Sequence, residues 1–141
     1  MSDNAELMQR FRTAAKKSME VVDSAPHLET ETFLVNVSHS MAGLYSVALS
    51  LPTVEPETTG TDEAPFHADA WNELRRSLTE RIGSLDAYWR VFDSTEKQEP
   101  VQACRGALQG SLAGDISEIY LDLKRSLELE ETGIYPIGLA I

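Results

Sequence analysis

Basic residues are scarce in this chain: 12 Lys and Arg stand against 23 Asp and Glu, for a formal charge of -11. That balance argues against sequence-independent nucleic-acid binding, whose affinity comes from Lys and Arg neutralising phosphates. Cysteine occurs once, as Cys104, which excludes an intrachain disulfide and any multi-cysteine zinc site. There is no phosphate-cradling glycine loop ending in Lys-Ser or Lys-Thr, no dinucleotide fingerprint and no His-Glu-x-x-His helix. The readily recognised enzyme classes therefore lack their signatures. The first residues, Met1 to Glu6, carry neither a basic nor an apolar run, so no secretory leader is expected. With the lone cysteine, this leads to the expectation of a cytoplasmic protein.

What remains is ordinary for a packed fold, with 42% apolar and 25% charged residues in 141. A chain of this length buries about two thirds of its unfolded surface, enough for one core. The charge is segregated: the 57 residues from Ser18 to Leu74 hold ten carboxylates and no Lys or Arg. The rest of the chain carries 13 acids and 12 bases and is nearly neutral. His27, His39 and His67 all fall in the acidic stretch.

Four segments repeat apolar residues at helical spacing, which predicts an all-α, single-domain, four-helix-type bundle over 1–132 with an apolar tail over 133–141. The first helix, about Asn4 to Ser24, carries Leu7, Phe11, Ala14 or Ala15, Met19 and Val22 inward, has Arg10, Arg12, Lys16 and Lys17 on its outer face, and ends at Pro26. The second runs from Thr30 or Thr32, either a candidate cap, to Leu51. No charge occurs from Thr32 to Val54, and a 20-residue helix is about 30 Å long, so a membrane span has to be weighed. Asn36, Ser38, His39, Ser40, Ser46 and Ser50 weigh against it, as does the lack of flanking basic residues. The stripe Phe33, Val37, Met41, Leu44, Ala48 and Leu51 fits a bundle core instead.

The other side of that helix reads Asn36, His39 or Ser40, Gly43, Ser46 or Val47, and Ser50. Close packing, with hydroxyls bonded to carbonyls one turn back, is the favoured explanation; a lining for a pocket or a partner helix is the functional one. Pro52 to Pro65, with three more acids than its one glycine, reads as a long acidic loop between the second and third helices. The third helix is expected from about Ala68 to Phe92, with Trp71, Leu74, Leu78, Ile82, Leu85, Trp89 and Phe92 on one stripe and a bend at Gly83. Glu73, Arg76 and Glu80 support its exposed side. The fourth runs from Ser111 to Glu131, with Leu112, Ile116, Ile119, Leu123 and Leu127 inward, Gly110 in a capping or loop role and Gly133 as its stop. Whether 101–110 forms a helix stays open.

Chemistry is sparsely signalled. Asp23 with His27, and His67 with Asp69, are the nearest metal-like pairs, but no histidine has Glu three residues before it, and neither metal nor cofactor is expected. His39 is expected to be a core or interfacial imidazole bonded to Ser or Asn, and Cys104 a small apolar filler. Trp89 and Phe92 are expected in the core, and Tyr88 and Arg90 nearer the surface.

Ala48-Leu49-Ser50-Leu51-Pro52 with Val54-Glu55-Pro56, Tyr88-Trp89-Arg90-Val91-Phe92-Asp93, Glu99-Pro100-Val101, Gly110-Ser111-Leu112-Ala113, Asp115-Ile116 and Ile119-Tyr120-Leu121-Asp122-Leu123-Lys124-Arg125 are distinctive runs. Over about residues 5 to 130 the chain resembles a family of bacterial all-helical proteins known only as a domain of unknown function. Two departures from that family are an insertion over 102–109 and an uncharged tail from Gly133 to Ile141, where similar proteins continue into an aromatic, His-bearing helix. The resemblance implies no activity. It implies a shared polar and aromatic surface of Tyr88, Trp89, Asp93, Tyr120, Asp122, Lys124 and Arg125, for which an ion pair between Asp122 and Arg125 plus a turn residue is the plainer account.

The leading functional expectation is a non-catalytic interaction protein that recognises a basic partner, as an immunity protein or antitoxin shields a basic toxin. Glu55, Glu57, Asp62, Glu63, Tyr88, Asp93, Tyr120, Asp122 and Arg125 are its candidate surface. The alternative is a small-ligand binder, metal-binding bundle or enzyme with His39, Tyr45 and Tyr120 as polar contacts in a pocket. A homo-oligomer through the Gly43 and Ser46 stripe or the tail is a third possibility.

Overall fold

The structure, a computed structural model, describes residues 2–53, 68–90 and 108–131. They hold four α-helices: α1 (Ser2–Asp23), α2 (Thr30–Leu49), α3 (Ala68–Ile82) and α4 (Leu112–Glu131). A two-stranded antiparallel ribbon, β1 (Ala87–Arg90) and β2 (Leu108–Ser111), precedes α4. The fold is all-α in class, as the periodicity predicts. The expected acidic loop from Val54 onward, residues 101–107 and the tail from Gly133 lie outside the described residues.

Helix α1 ends where Pro26 enters a 3-10 turn, Ala25–His27. Thr30 does not cap α2; Glu29 holds the cap position without a side-chain bond, and the Thr30 hydroxyl donates to the Arg81 carbonyl at 2.9 Å. The start of α2 is thereby tied to the end of α3. Helices α1 and α2 run antiparallel, with Ser18 Oγ donating to the Ser40 carbonyl at 3.4 Å and Ala15 packed with Leu44. Helix α4 runs antiparallel to α1, joined to it by Arg12 and Glu130 near one end and by Tyr120 and Asp23 near the other.

The core follows the predicted stripes closely. Phe33 and Ala113 are fully buried, and Val22, Ala25, Val37, Leu78, Ile82 and Ile116 complete one cluster. Ala15, Leu44 and Leu123 form a second, with Phe11, Met19 and Leu127 packed against it. The α2 stripe fades toward its C-terminal end: Met41 and Leu51 are half-buried and Ala48 is exposed. Among the described residues, no helix is long and apolar enough to cross a membrane.

Helix α3 is shorter than its periodicity predicts. Leu78 and Ile82 are buried, but the helix stops at Ile82, and Gly83 takes a φ of 63°, the left-handed conformation that glycine adopts without strain. A 3-10 turn, Gly83–Leu85, then redirects the chain into β1. Trp89, expected in the core, is 71% exposed, and Leu85 is exposed as well. Their spacing continues the helical stripe only in sequence. Gly110, expected to cap a helix or sit in a loop, instead lies in β2 opposite Tyr88, whose ring would overlap any Cβ placed there.

Asp86 organises the junction between the ribbon and α4. Its carboxylate accepts from Ser111 Oγ at 2.9 Å and from the Ala113 N–H at 2.7 Å, while its carbonyl accepts the Leu112 N–H at 2.9 Å. Ser111 Oγ in turn accepts the Gly114 N–H at 3.1 Å. Helix N-terminal donors have no partners within the helix, so this pair of side chains caps α4 and places a negative charge at its positive end.

Candidate functional site

A groove of about 790 Å³ runs along the α1–α2 pair, and every described residue lining it belongs to one of those helices. Arg10, Ala14, Lys17 and Val21 follow one another by four, three and four residues, so they share a stripe of α1 turned away from the buried Ala15, Ser18 and Val22. Asn36, His39, Ser40, Gly43 and Val47 supply the α2 side. These are the small and polar residues singled out from the sequence, and two of the four bases on the outer face of α1, Arg10 and Lys17, lie opposite them.

The floor is apolar, built from Ala14, Val21, Leu44 and Val47, and the rim is polar and cationic, with Arg10, Lys17, Asn36 and His39. Among the described residues no Asp or Glu lines it. Gly43 leaves open space where a Cβ would project. His39 is exposed, so of the core and interfacial settings expected for it the core one does not hold, because α2 buries the stripe through Phe33, Val37, Ser40 and Leu44, and His39 is turned about 100° from its neighbour Ser40. The α2 hydroxyls do bond backwards: Ser38 to the Leu34 carbonyl, Ser40 to Val37 and Ser50 to Ser46.

Tyr45 is 67% exposed and does not line the groove, nor does Tyr120. The Tyr120 hydroxyl donates to Asp23 Oδ1 at 2.9 Å. Burial first, then that hydrogen bond and the charge of Asp23, push its pKa up to about 12. A neighbouring furrow of about 350 Å³ between α1 and α4 is lined by Lys16, Glu20, Asp23, Lys124, Glu128 and Glu131, a mixture of both signs.

The Tyr88 hydroxyl donates to Asp115 Oδ2, so this half-buried ring spans from the ribbon to α4. Asp122 and Arg125 are both exposed on α4, and among the described residues no ion pair joins them. Of the two ion pairs found there, one is the predicted Arg76–Glu80 contact on α3, at 3.9 Å. Glu55, Glu57, Asp62, Glu63 and Asp93 lie outside the described residues, as do Cys104 and His67. Among the described residues, no group of three or more His, Cys, Asp or Glu is arranged to hold a metal ion.

Sequence reasoning did not single out Asp23, Asp86 or Asp115 as partners of Tyr120, Ser111 and Tyr88. Those contacts join residues 97, 25 and 27 positions apart, beyond the reach of local spacing. The chain belongs to the family described as a domain of unknown function (DUF5063), whose model matches residues 2–136. No curated protein and no solved structure matches it.

Proposed function

We propose that this member of the family is a non-catalytic, cytoplasmic interaction module that recognises a basic partner protein through the carboxylates of Ser18 to Leu74, in the manner of an immunity protein or antitoxin. The supporting observation is that the described carboxylates of that stretch, Glu20, Asp23, Glu29, Glu31, Asp69 and Glu73, are all exposed, and none is in an ion pair among the described residues. Such a surface attracts cations instead of being neutralised from within. Glu55, Glu57, Asp62 and Glu63 add to the same charge. Tyr88, Asp93, Tyr120, Asp122 and Arg125 are proposed as its polar and aromatic border.

Affinity capture from the host, followed by identification of what is retained, tests this. A basic protein should be retained at low salt and released as the screening length falls from about 10 Å at 0.1 M to about 3 Å at 1 M. The double substitution Glu29→Lys and Glu31→Lys should weaken retention while leaving the protein folded, at a cost of about 1–2 kcal/mol from reversing two exposed acids at the N-terminus of α2. Retention that ignores salt, or survives the charge reversal with partners that are not basic, refutes the reading.

A further inference from the structure

We propose that the α1–α2 groove is a second interaction surface, which receives an acidic amphipathic helix of another protein. The lining runs from Gln9 to Val21 on α1, so the groove is about 18 Å long, the length of about 12 helical residues. Apolar side chains at i, i+4, i+7 and i+11 of an incoming helix would face Ala14, Val21, Leu44 and Val47. Ala14 and Gly43 keep the middle of the groove shallow in side chain, which permits the close axial approach of helix packing.

Charge selects the occupant. Arg10 and Lys17 stand two turns apart on one rim and His39 and Asn36 on the other, with no carboxylate between them among the described residues, in a chain that has almost twice as many acids as bases. Carboxylates flanking the apolar stripe of the incoming helix would find a cation on the α1 side and donors on the α2 side. A second copy docked face to face would bring only the same cationic and polar rims, with no carboxylate among the described lining residues to meet Arg10 and Lys17. A groove open along its length also shields a small molecule poorly, whereas small-molecule sites bury about 70–90% of their ligand.

The probe is a peptide of about 14 residues, long enough to cover the groove as a helix, with Leu at the four apolar positions and Glu beside them; its counterpart carries Lys for Glu. The Glu peptide should shift the backbone amide resonances of Arg10, Lys17, His39 and Gly43 and bind at least about tenfold tighter than the Lys peptide, the gap narrowing with salt. Arg10→Glu with Lys17→Glu should reverse the preference. Gly43→Leu fills the open space at an exposed helical position, so it should block the Glu peptide while leaving the melting temperature equal or higher.

Equal binding of both peptides, resonance shifts confined to other surfaces, or unchanged affinity in Gly43→Leu overturns the proposal. Movement of those four amides on simple dilution of the free protein also overturns it, by assigning the face to a second copy. The described carboxylates proposed above to bind a basic partner, Glu20, Asp23, Glu29, Glu31, Asp69 and Glu73, do not line the groove, so either surface can fail its test while the other passes.

Discussion

Replacing Asp86 by alanine should destabilise the protein through one identifiable junction. The carboxylate satisfies the Ala113 N–H at 2.7 Å and the Ser111 hydroxyl at 2.9 Å, and Ala113 itself is fully buried. A hydrogen bond to a charged acceptor contributes about 1.5–3 kcal/mol, and a carboxylate at a helix N-terminus adds about 0.3–1 kcal/mol through the helix dipole. The two overlap, and Ser111 can still cap Gly114, so the expected loss is about 2–3 kcal/mol.

At the usual unfolding entropy per residue, each kcal/mol corresponds to about 3–4 °C in a chain of this length, so Asp86→Ala should melt about 7–10 °C lower. Asp86→Asn keeps an acceptor and loses the charge, and should cost about 1 kcal/mol. Ser111→Ala should also cost about 1 kcal/mol. Because the two side chains touch, the double variant should lose less than the sum of the singles, with a coupling of about 1 kcal/mol. Calorimetry or urea titration of the four proteins measures this. A melting temperature for Asp86→Ala within about 1 °C of the parent, or strict additivity with Ser111→Ala, would refute the reasoning.

Tyr120 gives a pH signature. Its proton is held to about 12 in the folded chain against an ordinary 10.0, so the unfolded chain ionises first. This contribution is fully present below pH 10 and is lost as the pH rises toward about 12. Tyr120→Phe should therefore show a smaller alkaline loss of stability than the parent, and absorbance titration should lose a tyrosine that ionises at about 12. Gly110→Ala would set a Cβ into the Tyr88 ring, so the ring must swing away from Asp115. The expected cost is about 1 kcal/mol with a change in the near-ultraviolet tyrosine signal, and an unaltered signal would contradict the packing.

Helices with one buried stripe were legible because burial acts on every third or fourth residue. Phe33, Val37 and Leu44, or Leu78 and Ile82, could be picked out with no knowledge of what covers them. The end of α3 was misread for a related reason. Trp89 continues the same spacing, and periodicity carries no record of Gly83 entering a left-handed conformation. The warning was present in the Gly-Ser dipeptide and in the strand-favouring Tyr88-Trp89 pair. Its resolution needed β2, whose Ser111 pairs with Ala87. A core setting for His39 rested on its lying in a charge-free helix, yet absence of charge does not imply burial, since Val35, Tyr45 and Leu49 of the same helix are more than half exposed. Of the candidate groove, each wall was visible as a stripe on its own helix; that the two stripes face one groove depends on how α1 and α2 pack.

Net charge and local charge answer different questions. The value of -11 sets the far field and weighs against binding to polyanions. Within a screening length of about 10 Å, the sign is set by the nearest side chains, and along the groove the described charges are Arg10 and Lys17, with no carboxylate among the described lining residues. An acidic helix would be repelled at a distance and held on contact, so its association should be slowed by the far field while its dissociation is governed by the groove. A basic partner meets the opposite arrangement, attraction from afar toward exposed Glu29 and Glu31. Salt weakens the short-range contacts of both complexes, but it should speed the encounter of the acidic helix and slow that of the basic partner. Association rates measured against ionic strength thus separate the two surfaces even where affinities do not.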